Sequence, residues 1–164
     1  MDTTISALSA QLGAALAARN WRVATAESCT GGGIATAITA TAGSSNWFER
    51  GFVTYSNAAK IELLGVEPTS LATHGAVSEA IVSEMVCGAL ERSPVQLAVA
   101  VSGIAGPDGG SAIKPVGTVC IAWCQRDALP RIVTRHFPGE REAVRRQTII
   151  AALEGLLELA RAPA

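Results

Sequence analysis

Ala26-Glu27-Ser28-Cys29-Thr30-Gly31-Gly32-Gly33 stands between two different periodicities. Before it, Trp21 to Ala26 reads as a strand, and after it Gly33 to Thr41 reads as a short buried helix. Strand, tight loop and helix in that order define an α/β unit, and the loop is a place for chemistry. Glycine lets the backbone turn sharply and approach a ligand, and a helix start offers unpaired N–H groups to an anion. Ser28, Cys29 and Thr30 put two hydroxyls and a thiol at the same turn. The loop can bind a phosphate, attack a carbonyl, or only turn.

Outward from this loop, helices and strands continue to alternate. Upstream, Ile5, Leu8, Leu12 and Leu16 recur at helical spacing over Thr4 to Arg19, with Thr3 or Thr4 as N-cap and Asn20 as the stop. Downstream, Ala42 to Asn46 reads as a loop, Phe48 to Tyr55 as a strand, and Asn57 to Leu64 as a helix ended by Gly65. Pro68 opens a short helix to His74, and Ser78 caps a longer one whose apolar face holds Ile81, Val82, Met85, Val86, Ala89 and Leu90. Val95 to Ser102 is nearly all apolar, as expected of a strand covered on both faces. Gly103 to Gly117 holds five glycines and two prolines and is a loop, long enough to be functional. Thr118 to Gln125 and Arg131 to Phe137 pair around an Asp127–Pro130 turn. Pro138-Gly139 then leads into a last helix, Glu140 to about Ala160, with a stripe of Val144, Thr148, Ala151 or Ala152, and Leu156 or Leu159. The pattern predicts a three-layer α/β/α sandwich with a mixed sheet.

The 164 residues, 49% of them hydrophobic, suit one domain over 1–164. Thirteen basic against fourteen acidic side chains leave a net charge of −1, without the basic cluster that nucleic acid demands. Met1-Asp2-Thr3-Thr4 lacks the start of a secretory signal, and no apolar run reaches the roughly 18–20 residues of a membrane span. The expected compartment is the cytoplasm, with Cys29, Cys87, Cys120 and Cys124 as reduced thiols. Cys120 and Cys124 are about 13 Å apart along one strand, too far for a disulfide. Two histidines, His74 and His136, give a metal site or a histidine-based triad little to build on.

Four constellations can carry chemistry. The Ser28 loop lacks the Gly-Lys-Ser/Thr ending of a phosphate-gripping P-loop, so Ser28 needs a base nearby. Tyr55, closing a strand, and Lys60, on the next helix, converge beside that serine if the turn folds back; a desolvated lysine there has a lowered pKa and works as a base. Otherwise they are a strand-capping tyrosine and a surface lysine. Asp108, Ser111 and Lys114 face a ligand if the glycine-rich loop is ordered, and His74 to Glu79 forms either a substrate wall or a structural turn. Arg141 and Arg145 share a face near a helix N-terminus, unfavourable to the dipole unless an anion offsets them.

Thr25 to Gly32, Gly51 to Asn57 with Lys60, Ser102 to Gly110 with Lys114 to Thr118, and Phe137-Pro138-Gly139 with Arg141 and Arg145 together resemble the CinA C-terminal domain family. The resemblance spans essentially the whole chain and is closest to the family's stand-alone amidohydrolases. It implies hydrolysis of the carboxamide of nicotinamide mononucleotide to nicotinate mononucleotide and ammonia, with no metal and no cofactor. Within that reading Ser28 is the nucleophile, and Lys60, directly or through Tyr55, takes its proton. N–H groups of Thr30, Gly31 and Gly32 hold the oxyanion. Asn57, Ser102, Gly103 and Gly106 line the substrate, and Arg141 or Arg145 holds the 5′-phosphate. A homodimer is expected. The rivals are a non-catalytic pyridine-nucleotide-binding regulatory module and an amidase that uses Cys29.

Overall fold

The computed structural model describes residues 2–163; the first and last positions of the expected 1–164 unit lie outside the described residues. Among the described residues five strands and six α-helices follow one another in the order α1 (Thr3–Arg19), β1 (Val23–Glu27), α2 (Gly33–Thr39), β2 (Phe48–Val53), α3 (Asn57–Leu64), α4 (Pro68–His74), α5 (Glu79–Glu91), β3 (Leu97–Gly103), β4 (Thr118–Gln125), β5 (Arg131–His136) and α6 (Arg141–Arg161). The sheet order is β2-β1-β3-β4-β5. β2, β1 and β3 run parallel, and β4 and β5 antiparallel. This is the expected mixed sheet between two helical layers.

Strand alternation decides which layer meets which side chains. Val23, Leu97, Val99 and Val101 point into a core shared with α1, α2 and α6. Ala24, Ala26, Ala98 and Ala100 point to α3, α4 and α5. The buried apolar strand positions of the second face are all alanine or cysteine, so helices approach it closely. Crowding is greatest where α5 crosses the end of α3: a Cβ on Gly88 would stand 2.0 Å from the Leu64 carbonyl oxygen. On the first face, Trp123 donates its indole N–H to the Ala152 carbonyl at 2.9 Å and lies against Gly155.

Differences from the sequence reading fall at element ends, where side chains compete with the backbone. Asp2, not Thr3 or Thr4, caps α1, its carboxylate accepting from the Thr4 and Ile5 amides at 2.9 and 3.2 Å. A carboxylate one residue earlier reaches two orphan amides at once. Asn20 does stop α1, in the left-handed conformation at φ 55°. β1 starts at Val23 rather than Trp21 and runs on to Glu27, while β2 stops at Val53. α2 ends at Thr39, and a 3-10 turn, Ser44–Asn46, lies within the expected loop. α6 begins at Arg141.

The carboxyl ends of the parallel strands β1, β2 and β3 lie side by side. In open α/β sheets this is where ligands bind.

Candidate active site

β1 ends with Glu27, Ser28 follows it directly, and the two side chains leave on opposite sides of the sheet. The Ser28 amide donates to the Val101 carbonyl at 3.1 Å, carrying the β1–β3 ladder one residue further. Its hydroxyl thus faces α3. There Ser56 caps the helix through the Ala59 amide at 3.0 Å and turns the chain back. That turn buries Lys60, only 1% exposed. Its Nζ donates to Ser28 Oγ at 3.1 Å and to the Thr54 carbonyl at 2.9 Å. None of the ion pairs among the described residues involves Lys60. Burial pushes the Lys60 ammonium below the usual lysine value of 10.5, with Cys29 as a lesser, opposing influence.

The pair opens on a cavity of about 270 Å³. Besides Ser28 and Lys60, its wall includes Tyr55, Asn57, Ser102, Gly103, Gly106 and Arg141 from the expected set, together with Cys29, Ile104, Ala105 and Asp108. Ala76 and Val77 complete it, so the His74–Glu79 segment is a wall at these two residues. Ser111 and Lys114 stay out: Ser111 Oγ accepts the Lys114 amide at 3.0 Å, and Lys114 Nζ ties the loop to the His74 carbonyl at 2.9 Å.

Tyr55 stands at the rim, 61% exposed. Its hydroxyl accepts from Arg141 Nη2 at 2.9 Å, and Arg141 Nη1 donates to the Gly106 carbonyl at 2.8 Å. The expected meeting of the Tyr55 hydroxyl with Ser28 and Lys60 is replaced by this bridge. A second cavity, about 380 Å³, shares Ala105, Gly106 and Arg141 with the first and reaches Gly139 and Glu140 at the start of α6. A separate cleft between β5 and α6, with Trp123, Arg131, Phe137 and Glu154 in its wall, has no hydroxyl or thiol beside a base.

Thr30, Gly31, Gly32 and Arg145 are absent from the cavity wall. Thr30 is wholly buried, its Oγ1 donating to Glu27 Oε1 at 2.6 Å. The Gly31 amide is engaged by the Ser28 carbonyl at 3.0 Å, and Arg145 Nη2 donates to the Thr30 carbonyl at 3.1 Å. The α2 start is likewise unavailable to an outside anion: the Ile34 and Ala35 amides donate to the Glu27 carboxylate at 2.8 and 3.0 Å. Sequence reasoning named Glu27 but gave it no task. The available signal was a carboxylate ending a strand without other charged residues, six residues before a helix start that has no side-chain cap of its own.

Cys29 is 6% exposed, and burial pushes its thiol up to about 11. At neutral pH it is protonated and a poor nucleophile. Among the described residues no cluster of His, Cys, Asp and Glu could hold a metal ion, and no helix is long and apolar enough to cross a membrane.

A family model for the CinA C-terminal domain matches residues 5–160. The chain belongs to the CinA C-terminal domain family. Relatives within it include the nicotinamide-nucleotide amidohydrolase PncC of Enterobacter agglomerans, 57% identical over 150 residues and covering 92% of each chain. PncC of Pseudomonas putida is 57% identical over 157 residues, covering 94% of this chain and 96% of that one. The solved structure of the competence/damage inducible protein CihA from Agrobacterium tumefaciens matches with a TM-score of 0.95 at 44% identity, over 98% of each chain.

Proposed function

We propose that the chain is a nicotinamide-nucleotide amidase that converts nicotinamide mononucleotide and water to nicotinate mononucleotide and ammonia. The observation that carries the mechanism is the buried Lys60 Nζ, 3.1 Å from Ser28 Oγ and without a carboxylate partner. Similarity to the PncC amidohydrolases over nearly their full length supports the substrate.

Lys60 accepts the Ser28 proton only when neutral, and burial favours that form. Ser28 Oγ bonds to the carboxamide carbon, and the carbonyl π pair moves onto oxygen. With the Gly31 amide engaged by the Ser28 carbonyl and Thr30 buried behind the cavity wall, the oxyanion falls to the amide of Cys29, which directly follows the nucleophile and lines the cavity. Collapse breaks the C–N bond, and the Lys60 ammonium returns its proton to the leaving nitrogen as ammonia. Water, deprotonated by Lys60, then attacks the acyl-serine ester; the carboxylate leaves and Ser28 recovers its proton. Tyr55, on the rim, orients Arg141 rather than relaying a proton.

The nucleotide would lie across the two joined cavities, carboxamide at Ser28 and 5′-phosphate towards Arg141 and the α6 start. The first amides of a helix favour an anion. Glu140 opposes it there, which makes Arg141 the necessary counter-charge.

The direct test is ammonia release from nicotinamide mononucleotide by purified protein. Release that is lost in Ser28→Ala supports the reading. No release, with the nucleotide still raising Tm, replaces the enzyme by a binding module; release that survives Ser28→Ala and is lost in Cys29→Ala replaces the serine by the thiol.

A further inference from the structure

Thr30 is two residues past the nucleophile and has no exposed surface, yet both its hydroxyl and its carbonyl are engaged. Its hydroxyl donates to Glu27 at 2.6 Å. Its carbonyl accepts from the Gly33 amide at 3.0 Å and from Arg145 Nη2 at 3.1 Å. Glu27, wholly buried, also takes the Ile34 and Ala35 amides. The β1 end and the α2 start therefore meet on one residue with the second turn of α6, which is 115 residues away in sequence. α6 also presses on the next turn of the loop: a Cβ on Gly33 would stand 2.7 Å from Ile149. None of Glu27, Thr30 and Arg145 lines the cavity. Glu27 and Arg145 do not form an ion pair with each other; each holds an opposite end of Thr30.

We infer that Glu27, Thr30 and Arg145 form a clamp on the far side of the loop that fixes Ser28 Oγ within reach of Lys60, and that Arg145 is a positioning residue rather than a phosphate ligand. The inference rests on Ser28 being the nucleophile. Its physical basis is the steep cost of small misplacements: a shift of about 1 Å at a reacting atom can lower turnover about 100-fold. A loop with two glycines at positive φ, Gly31 at 58° and Gly32 at 99°, does not hold one conformation by itself.

The clamp is tested in the full chain with Thr30→Val, Thr30→Ser and Arg145→Met, reading kcat and KM for nicotinamide mononucleotide and amide hydrogen exchange of the Ser28–Ile34 segment. Thr30→Val should lower kcat about 100-fold with KM within about twofold. Thr30→Ser, which restores the hydroxyl, should recover turnover to within about threefold of the unaltered protein. Arg145→Met should lower kcat about tenfold with KM unchanged, and it keeps the apolar stem should Thr30→Val fold poorly. Exchange in the segment should quicken in Thr30→Val and Arg145→Met but not in Thr30→Ser. Turnover of Thr30→Val within about twofold of the unaltered protein overturns the clamp, as does an Arg145→Met loss confined to KM, which would make Arg145 a phosphate contact. If the unaltered protein releases no ammonia, the proposed activity has failed; exchange then decides the clamp, which falls if Thr30→Val leaves it unchanged.

Discussion

Glu27 and Lys60 are both ionisable and both buried, at 0% and 1% exposure, yet they meet opposite fates on the two sides of one sheet. Glu27 enters the α2 layer and accepts a hydroxyl and two amides, so its oxygens are matched by donors. Lys60 enters from the α3 side and meets two neutral oxygens, Ser28 Oγ and the Thr54 carbonyl. A buried charge matched by donors is a structural device; one left without a counter-charge gives up its proton more readily and becomes a reagent. β1 delivers both outcomes through consecutive residues, Glu27 and Ser28, because strand side chains alternate.

The largest effect should come from breaking the reactive side. Ser28→Ala and Lys60→Met should each lower turnover on the order of 10⁴-fold or more, because nucleophile and base act as one unit. Their double variant should lose little beyond either single one. Lys60→Met should also hold or raise Tm, since it removes the desolvation of an unpaired amine while keeping the volume. A fall in Tm of several degrees would mean that Lys60 is a structural support.

Breaking the structural side should give the converse. Glu27→Ala leaves one buried and one half-buried amide and the Thr30 hydroxyl without their acceptor, a loss of about 3 kcal/mol in denaturant unfolding. Glu27→Gln should lose less, keeping one acceptor oxygen. Equal losses for the two would mean that the carboxylate geometry is not what holds the α2 start.

The two sides were unequally legible in the sequence. Helical spacing, the Ser78 cap, Asn20 and Gly65 placed most elements to within a few residues, because these signals are local. The convergence of Ser28 with Lys60 depended on a fold-back that Ser56 and the β1–β2 pairing produce, and the spacing allowed it without requiring it. The Tyr55 partner was out of reach: Arg141 follows it by 86 residues and approaches from another layer. Thr30 and Arg145 were read as ligand groups because glycines and arginines near a helix start favour anions. Their partners are inside the protein, and no local pattern distinguishes an internal carboxylate from an external phosphate.

A titration should sharpen the comparison with a smaller effect. kcat/KM should rise with pH through an apparent pKa below 10.5, following neutral Lys60. The linked stability has the same sign. Between the folded Lys60 value and 10.5 the unfolded chain binds more protons than the folded one, so Lys60 destabilises the fold at lower pH and this is relieved as pH rises through the window. Lys60→Met should flatten that slope; an unchanged slope would assign it to another group.

The smallest effect should come from Cys29, which lies in the same wall but is only a neighbour of the reaction. Its thiol is held protonated to about 11, from an ordinary value of 9.0, chiefly by burial. The linkage sign is opposite to that of Lys60: between 9.0 and about 11 the folded chain retains a proton that the unfolded chain has lost, so stability falls as pH rises across that window. Cys29→Ala should lessen this alkaline decline, to which Cys87, Cys120 and Cys124, also pushed up by burial, contribute with the same sign, and should change kcat at pH 7 by less than about threefold. Iodoacetamide at neutral pH should leave turnover almost intact, since the thiolate that it alkylates is scarce and the sulfur is 6% exposed. Rapid inactivation, protected by nicotinamide mononucleotide, would give Cys29 the position that Ser28 holds here and leave Lys60 serving a thiol.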